Sequence, residues 1–490
     1  MINIKTSVFN VERRVTSAIK SKKRAYWIKM ICFVIAALST APAFAQIIIE
    51  GTIKDMDTKE GLPFSHVYIE GTSTVAVSDI DGVFAISVPL EEAEKKLVIS
   101  SMGYNNFEQT PAEIQANQTK EFLLKSVVFD LDIAVVRSPE KILGDALSKL
   151  EENYWSEPFM VEGFYRKAAL EDNKFAFLTE VIIQYHNKGF HKKDKESIDI
   201  NFVHLRNSED FRQIRVIQHW NPIYNALYRY DKIKTRAIAG ALKKAKVGSA
   251  TMELSVYNGE NIYIINLNKM QIYVGFGNDR IYRVDSKESK NETGSSFQYR
   301  AYKGKLYPFY FRIKSFTKDG KKTKGHMVTH YKGRDIRAET IAEVKSSMTG
   351  PGRGNASYDK REHAIRKATQ KRLTAKSKAV LGATNIDFIG FIQEFVATDI
   401  TLKSEKKYKK KKTNLDVNKD LFETEIFYDV DFWNNFELPN KSKYLQKIQT
   451  DLEEAGNGKT LAQQFEETGI KNNEINKDNK EFRKRMKKEK

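Results

Sequence analysis

From Ile47 onward, apolar and polar residues alternate in short runs separated by Gly, Pro, Asp or Asn. IIIEGTIKD, SHVYIEGT, TVAVSD, GVFAISVP, KLVISSMGY and KEFLLKS each carry the period of two that belongs to a half-buried strand. Six or seven such strands within roughly 80 residues predict a small antiparallel β-sandwich. Its inward positions would be Ile53, Val67, Ile69, Val77, Phe84, Ile86, Leu97 and Ile99. The stretch Ser78-Asp79-Ile80-Asp81-Gly82 between two of these runs reads as a hairpin turn, because Gly82 permits positive φ and the Asp side chains cap nearby amides. A calcium loop would need further oxygen ligands at alternate positions and a bidentate Glu, and Val83, Phe84 and Ala85 follow instead.

Beyond Arg137 the pattern changes. Ile142, Ala146, Leu147 and Leu150 recur at helical spacing and predict an amphipathic helix from Pro139 to Asn153, stopped by Pro158. FMVEGFYRKAAL and KFAFLTEVIIQYHN read as strands. Over residues 251–318, Tyr263, Ile265, Ile272, Val274, Ile281 and Val284 alternate with polar residues, with turns at Asn258-Gly259 and Gly277-Asn278. This predicts an antiparallel meander, a curved sheet or half-barrel. Its aromatics Tyr263, Tyr273, Phe276, Tyr282, Phe309 and Phe311 are candidates to line an apolar ligand pocket, with filling of a sheet core as the alternative. Residues 319–379, which include GPGRGN, predict a basic, irregular and partly flexible insertion. NIDFIGFIQEFVATDITL returns to strand, KSEKKYKKKKTN is a solvated charge run, and LFETEIFYDVDFW predicts a closing strand. A helix is expected over 441–454 and a disordered basic tail over 471–490. The expected fold class is mainly β: a sandwich over 46–126, then a larger α+β domain on an antiparallel sheet over 140–470.

The first 45 residues do not fit that fold. The basic KSKKRAYWIK leads into the apolar MICFVIAALSTAPAFA, which ends in the small-x-small Ala43-Phe44-Ala45. This predicts a secretory signal peptide over 1–45, with Gln46 as the new N-terminus. Removing 8 Lys/Arg and 1 Asp/Glu takes the net charge from +19 to +12. The single cysteine, Cys32, leaves with the signal, so the mature chain is expected to form no disulfide and use no thiol chemistry. An exported chain of this kind is expected in a bacterial envelope, periplasmic or outer-membrane associated, with no transmembrane span after cleavage.

Gly51, Gly61, Pro63, Gly71, Thr72, Asp81, Gly82, Phe84, Ser100, Gly103 and Tyr104, with Ser78 where Thr is common, make residues 46–125 resemble the carboxypeptidase-regulatory-like domain. The resemblance implies a prealbumin-like β-sandwich with an accessory, non-catalytic role, frequent in envelope proteins of Bacteroidota. NYWSEPFMVEGFYRK is similar to a segment of Bacteroidota proteins that carry the same N-terminal domain, with Lys167 in place of an acidic residue. No activity is carried over with it.

Candidate chemistry is sparse. The chain has no Gly-x-Ser-x-Gly elbow, no His-Glu-x-x-His and no Walker loop. His326 and His330 could share a helical face, but only Asp335 or His363 could be recruited as a third ligand, so no metal is expected. Asp429 and Asp431, placed on one face of a strand beside aromatics, could bind sugar or cleave a glycosidic bond; an acidic solvent-facing edge is the plain alternative. The basic runs lack nucleic-acid motifs, and an envelope protein, anionic lipid or polysaccharide surface is the expected partner. The expected function is a non-enzymatic exported envelope protein, without cofactor, acting as a binding or structural module. A carrier of an apolar or lipidic ligand in the aromatic sheet is the alternative, and a hydrolase the third reading.

Overall fold

The structure, a computed structural model, describes residues 46–127, 137–192, 198–217, 227–228, 231–246, 248–287, 294–318, 327–331, 334–348, 358–382, 386, 388–404, 426–436 and 443–488. The expected signal peptide lies outside these residues. The N-terminal sandwich is built from β1 (Gln46–Asp55), β2 (His66–Ile69), β3 (Val75–Val77), β4 (Val83–Pro89), β5 (Leu97–Ser100), β6 (Phe107–Gln109) and β7 (Glu121–Leu124). Helix α1 (Pro111–Ala116) precedes β7 and starts on a capping box in which Thr110 and Glu113 satisfy each other's backbone amides. One sheet has the order β4-β1-β7 and the other β3-β2-β5-β6. The pair β1–β7 is parallel, a departure from the antiparallel expectation. Ile53, Val67, Ile69, Phe84, Ile86, Leu97 and Ile99 are buried as their alternation requires, and Val77 is half-buried because it faces outward.

That outward face decides how the sandwich is used. His66 pairs across with Val77 and Ser100, and Tyr68 with Val75 and Val98, so these residues form the side of β3-β2-β5 turned away from the sandwich core.

The second body is a ten-stranded antiparallel sheet: β8 (Phe159–Glu171), β9 (Lys174–Asn187), β10 (Ile198–Asn207), β12 (Thr251–Tyr257), β13 (Glu260–Leu267), β14 (Met270–Gly275), β15 (Ile281–Lys287), β16 (Gly294–Tyr302), β17 (Lys305–Lys318) and β20 (Phe388–Leu402). The order is β10-β9-β8-β20-β17-β16-β15-β14-β13-β12. The register lines up one apolar row across every strand: Leu205, Val181, Tyr165, Phe395, Phe311, Phe297, Val284, Ile272, Ile265 and Met252. The next position along each strand forms a polar row on the opposite face, from Arg206, Glu180, Arg166, Glu394 and Arg312 to Ser296, Asp285, Gln271, Asn266 and Thr251.

Both faces are covered by other parts of the chain. On the apolar side, α2 (Pro139–Ser148), α3 (Leu150–Asn153) and α4 (Ala237–Lys244) place Ile142, Leu143, Ala146, Leu150 and Ile238 in one cluster with the sheet. Pro139 opens α2 and Ser138 caps it, accepting from Lys141 N at 3.2 Å. The far end of that side is covered by β11 (Ile214–Ile217), β18 (Met327–Tyr331) and β19 (Arg334–Asp335) with α5 (Ile336–Met348) and α6 (Tyr358–Gly382), where Ile214, Ile336 and Leu373 pack on Ala169, Phe177 and Phe391. The described residues of the stretch expected to be an irregular insertion are therefore regular, while GPGRGN lies outside the described residues. Ala, Lys, Arg and Gln in α6 are strong helix formers, which outweighs the charge that suggested a loop, and Lys376 ties α6 to Glu343 of α5 at 2.7 Å.

On the polar side, α7 (Val430–Asn435), α8 (Lys443–Ala455) and α9 (Leu461–Lys488) lie against β8–β10 through Trp433, Ile448, Leu452 and Phe465. The expected disordered tail is helical to Lys488. Asn473 bonds both the N–H and the C=O of Tyr428, at 2.6 and 3.0 Å, and Asn476 bonds Ile426 O at 3.3 Å. These side-chain ties anchor a helix that has little apolar content of its own.

Candidate functional site

Asp429, Asp431, Phe432 and Phe436 meet His204 at an open surface cleft of ≈ 650 Å³. The expected strand here is helix α7. Asp429 caps it, its Oδ1 accepting from Phe432 N at 2.9 Å, and this side-chain bond starts a helix where alternation alone suggested a strand. Trp433 sinks between Phe164 and Ile182, and Arg206 lies 4.3 Å over its ring. Phe432 then lies flat on the His204 ring, 3.6 Å and 4° apart. Asp429 Oδ2 is 3.8 Å from His204 Nδ1. Partial burial lowers the imidazole's pKa, against the opposing pull of Asp429 and Glu162, so the ring is neutral at neutral pH. Both carboxylates stand at the start of one helix. Hydrolysis of a glycosidic bond needs a pair flanking that bond, so the cleft suits binding better than bond breaking.

The Asp79–Gly82 turn has a different task. Asp79 Oδ1 accepts from Asp81 N at 2.9 Å and Val83 N at 3.0 Å, which closes the turn, and Gly82 has φ +80°. Asp81 Oδ2 accepts from Tyr444 N at 3.1 Å, in the first turn of α8. The loop holds a helix from the other end of the chain. Asp81→Ala should therefore lower the melting temperature, by a stability change of about 1 kcal/mol, as for loss of a helix cap. An unchanged melting temperature would show that solvent replaces the contact.

The six aromatics proposed to line a pocket are divided. Tyr263 and Phe311 lie on the apolar side of the sheet and are buried in its core. Tyr273 lies on the opposite side, paired with Arg283. Register irregularities bring Tyr282 and Phe309 to that side too, against Tyr257 and His66. Phe276 is on an exposed turn, 42% accessible. Tyr154 stacks on Phe190, Tyr299 meets both rings edge-on, and all three are buried in the core cluster with the helices. The His326/His330 reading falls partly outside the described residues; Met327–Tyr331 is strand, not helix. Among the described residues no group of His, Cys, Asp or Glu is arranged to hold a metal.

Sequence reasoning missed His66, whose partners are remote in the chain, and the Arg206–Glu180–Arg166 trio, which depends on the register of three neighbouring strands. The signal for His66 was its outward position between Ser65 and Val67 in an alternating run. Its ring is T-shaped against Phe309 at 4.9 Å, and beside it Phe64 stacks on Tyr310 at 5.6 Å. Gly103 N donates to Val256 O of the edge strand β12 at 2.8 Å, and Tyr68 Oη to Asn258 Oδ1 at 2.5 Å. The sandwich thus covers the polar side of β12–β17 and blocks the open edge of β12.

No curated protein and no solved structure matches the chain. A family model, the CarboxypepD_reg-like domain, matches residues 49–136. Its span takes in the sandwich core, the Asp79–Gly82 turn and the outward face of β2, and the N-terminal sandwich is therefore a CarboxypepD_reg-like domain.

Proposed function

We propose that this protein is an exported, non-enzymatic binding module of the cell envelope, in which the N-terminal domain and the large sheet act as one scaffold. The observation that carries the reading is the filling of both faces of the ten-stranded sheet by the chain's own side chains. A carrier needs an enclosed apolar cavity of several hundred cubic ångströms, and the aromatics nominated for one are spread over two faces. A non-catalytic domain family at the N-terminus favours the same reading. Among the described residues no helix is long and apolar enough to cross a membrane.

The contact surface assigned here is the His204 cleft. Two carboxylates and two half-buried phenyl rings suit the hydroxyls and flat faces of a neutral saccharide, while anionic groups would meet Asp429 and Asp431. Asp429→Asn or Phe432→Ala should weaken binding to neutral envelope polysaccharide about tenfold, the scale of one lost charge-assisted hydrogen bond or aromatic contact. Glycan-array or calorimetric binding that is unchanged in both variants removes the cleft from the reading. Mass spectrometry should find a chain starting at Gln46 in the envelope fraction, and organic extraction of the purified protein should yield no stoichiometric lipid. A bound lipid would restore the carrier, and an intact N-terminus in the envelope would overturn signal cleavage.

A further inference from the structure

His66 is 2% exposed and stands where the outer face of the sandwich meets the large sheet. Both ring nitrogens are engaged by that sheet. Nε2 bonds Gln298 Oε1 on β16, and Nδ1 lies 2.6 Å from Tyr257 Oη on β12. A carbonyl oxygen can only accept, so the ring proton sits on Nε2 and the Tyr257 hydroxyl donates to Nδ1. Protonating Nδ1 would force the Tyr257 hydroxyl to turn and accept instead of donate, so its own proton loses this partner. The charges acting on the ring are Arg300 of β16 and Arg283 of β15, both positive. Arg283 is partnered by Asp285 at 2.8 Å, and Arg300 stacks 4.7 Å over Tyr68 and bonds Thr72 O at 3.4 Å. The remaining neighbours from β3, β5 and β17 are Val77, Ser100 and Phe309, none of which offers a counter-charge.

We propose that His66 is a proton-operated latch: its neutral imidazole holds the CarboxypepD_reg-like domain on β12–β17, and its protonation loosens that contact and uncovers the two faces that meet there, Val75 and Val77 on the sandwich and Phe309 on the large sheet. Burial is the largest cause acting on the ring; the bond to Gln298 opposes it, Arg300 and Arg283 reinforce it, and together they take the pKa from 6.5 down to about 3. A depressed pKa means that the docked state excludes a proton which the released state binds. Docking is then at full strength above pH 6.5 and weakens as pH falls toward about 3. Between pH 7.5 and 5 the docking equilibrium should shift about 30-fold toward release, from 1.5 pH units of differential protonation.

The test is hydrogen exchange of the full chain, corrected for intrinsic rates, following the amides of Gly103 and Asn258, which bond across the contact to Val256 O and Ser100 Oγ, with β8 and β9 as an internal reference. Acidification from pH 7.5 to pH 5 should raise their opening about 30-fold while β8 and β9 stay protected. His66→Gln, which cannot titrate, should abolish that slope. Equal pH slopes in wild type and variant, or loss of protection in β8 and β9 together with these two amides, would overturn the proposal. Should the variant fail to fold, the His66 ring resonances of the wild-type chain decide: a ring that titrates near its ordinary pKa with the interface still protected rules the latch out, and one that titrates only as the interface opens supports it.

Discussion

Glu180→Ala should lower the stability of the folded chain by about 3–5 kcal/mol, the cost of leaving the buried Arg166 and the part-buried Arg206 without their partner. Glu180 is 2% exposed and sits between two arginines on neighbouring strands. Its Oε1 accepts from Arg166 Nε at 2.8 Å and its Oε2 from Arg206 Nε at 2.7 Å. Burial alone would raise the carboxyl's pKa. The charges of Arg206 and Arg166 outweigh it and hold the group below the ordinary carboxylate range. The stability this contributes is present above the unfolded pKa and is lost as pH falls through the folded one. The cavity beside the trio is ≈ 40 Å³, room for a water but not for the hydration of two guanidinium ions. The loss should spread, because Arg206 also lies over Trp433 and Phe465 at 4.3 and 4.4 Å and joins β10 to α7 and α9. Urea denaturation of the variant at pH 7 measures this, and a change under 1 kcal/mol would show that the arginines find other partners. Glu180→Gln keeps the shape and loses the charge, so it should fall between the two.

Gly82→Val should destabilise the N-terminal domain by about 2–5 kcal/mol, combining backbone strain with overpacking. Gly82 has φ +80°, a region that a β-branched residue tolerates poorly. A Cβ there would stand 2.4 Å from Ile53 O and 2.8 Å from Leu62 N, both backbone atoms, so no side chain can move aside. Ile53 is fully buried in the middle strand of its sheet, so the clash would reach the sandwich core. Hydrogen exchange should show lost protection in β1, β2 and β4 before β8 and β9. A variant as protected as the wild type would mean that the turn can rebuild itself. Calcium should leave the melting temperature of the wild-type chain unchanged, because Asp79 Oδ1 and Asp81 Oδ2 already accept from backbone amides and Val83, Phe84 and Ala85 supply no further side-chain oxygen.

Much of the fold is legible because it is written in local periodicity. The alternation at Val67 and Ile69, the spacing of Ile142 and Ala146 behind the Ser138 cap, and the meander over 251–318 each follow from neighbours a few residues apart. The period of two also says which residues share a face, and so places His66 with Tyr68 and Tyr263 with Ile265. It cannot say what covers that face. Phe309 and Tyr282 change side at register irregularities that leave no trace in the alternation, which is why six aromatics chosen from one stretch do not line one surface. Asp429 became a helix cap, and residues 336–348 and 358–382 became helices, where charge and short spacing had suggested strand and loop. His204 joined Asp429 from 225 positions away, Asp81 met Tyr444, and Glu180 met Arg206 across a strand pair. The elements were thus determined by the sequence, through bonds and spacings that close within a turn or a hairpin. The candidate site, the buried ion trio and the docking of the N-terminal domain were decided by the tertiary structure, because each depends on which faces are packed together, and burial alone turns a surface His, Glu or Arg into a group whose charge must be matched.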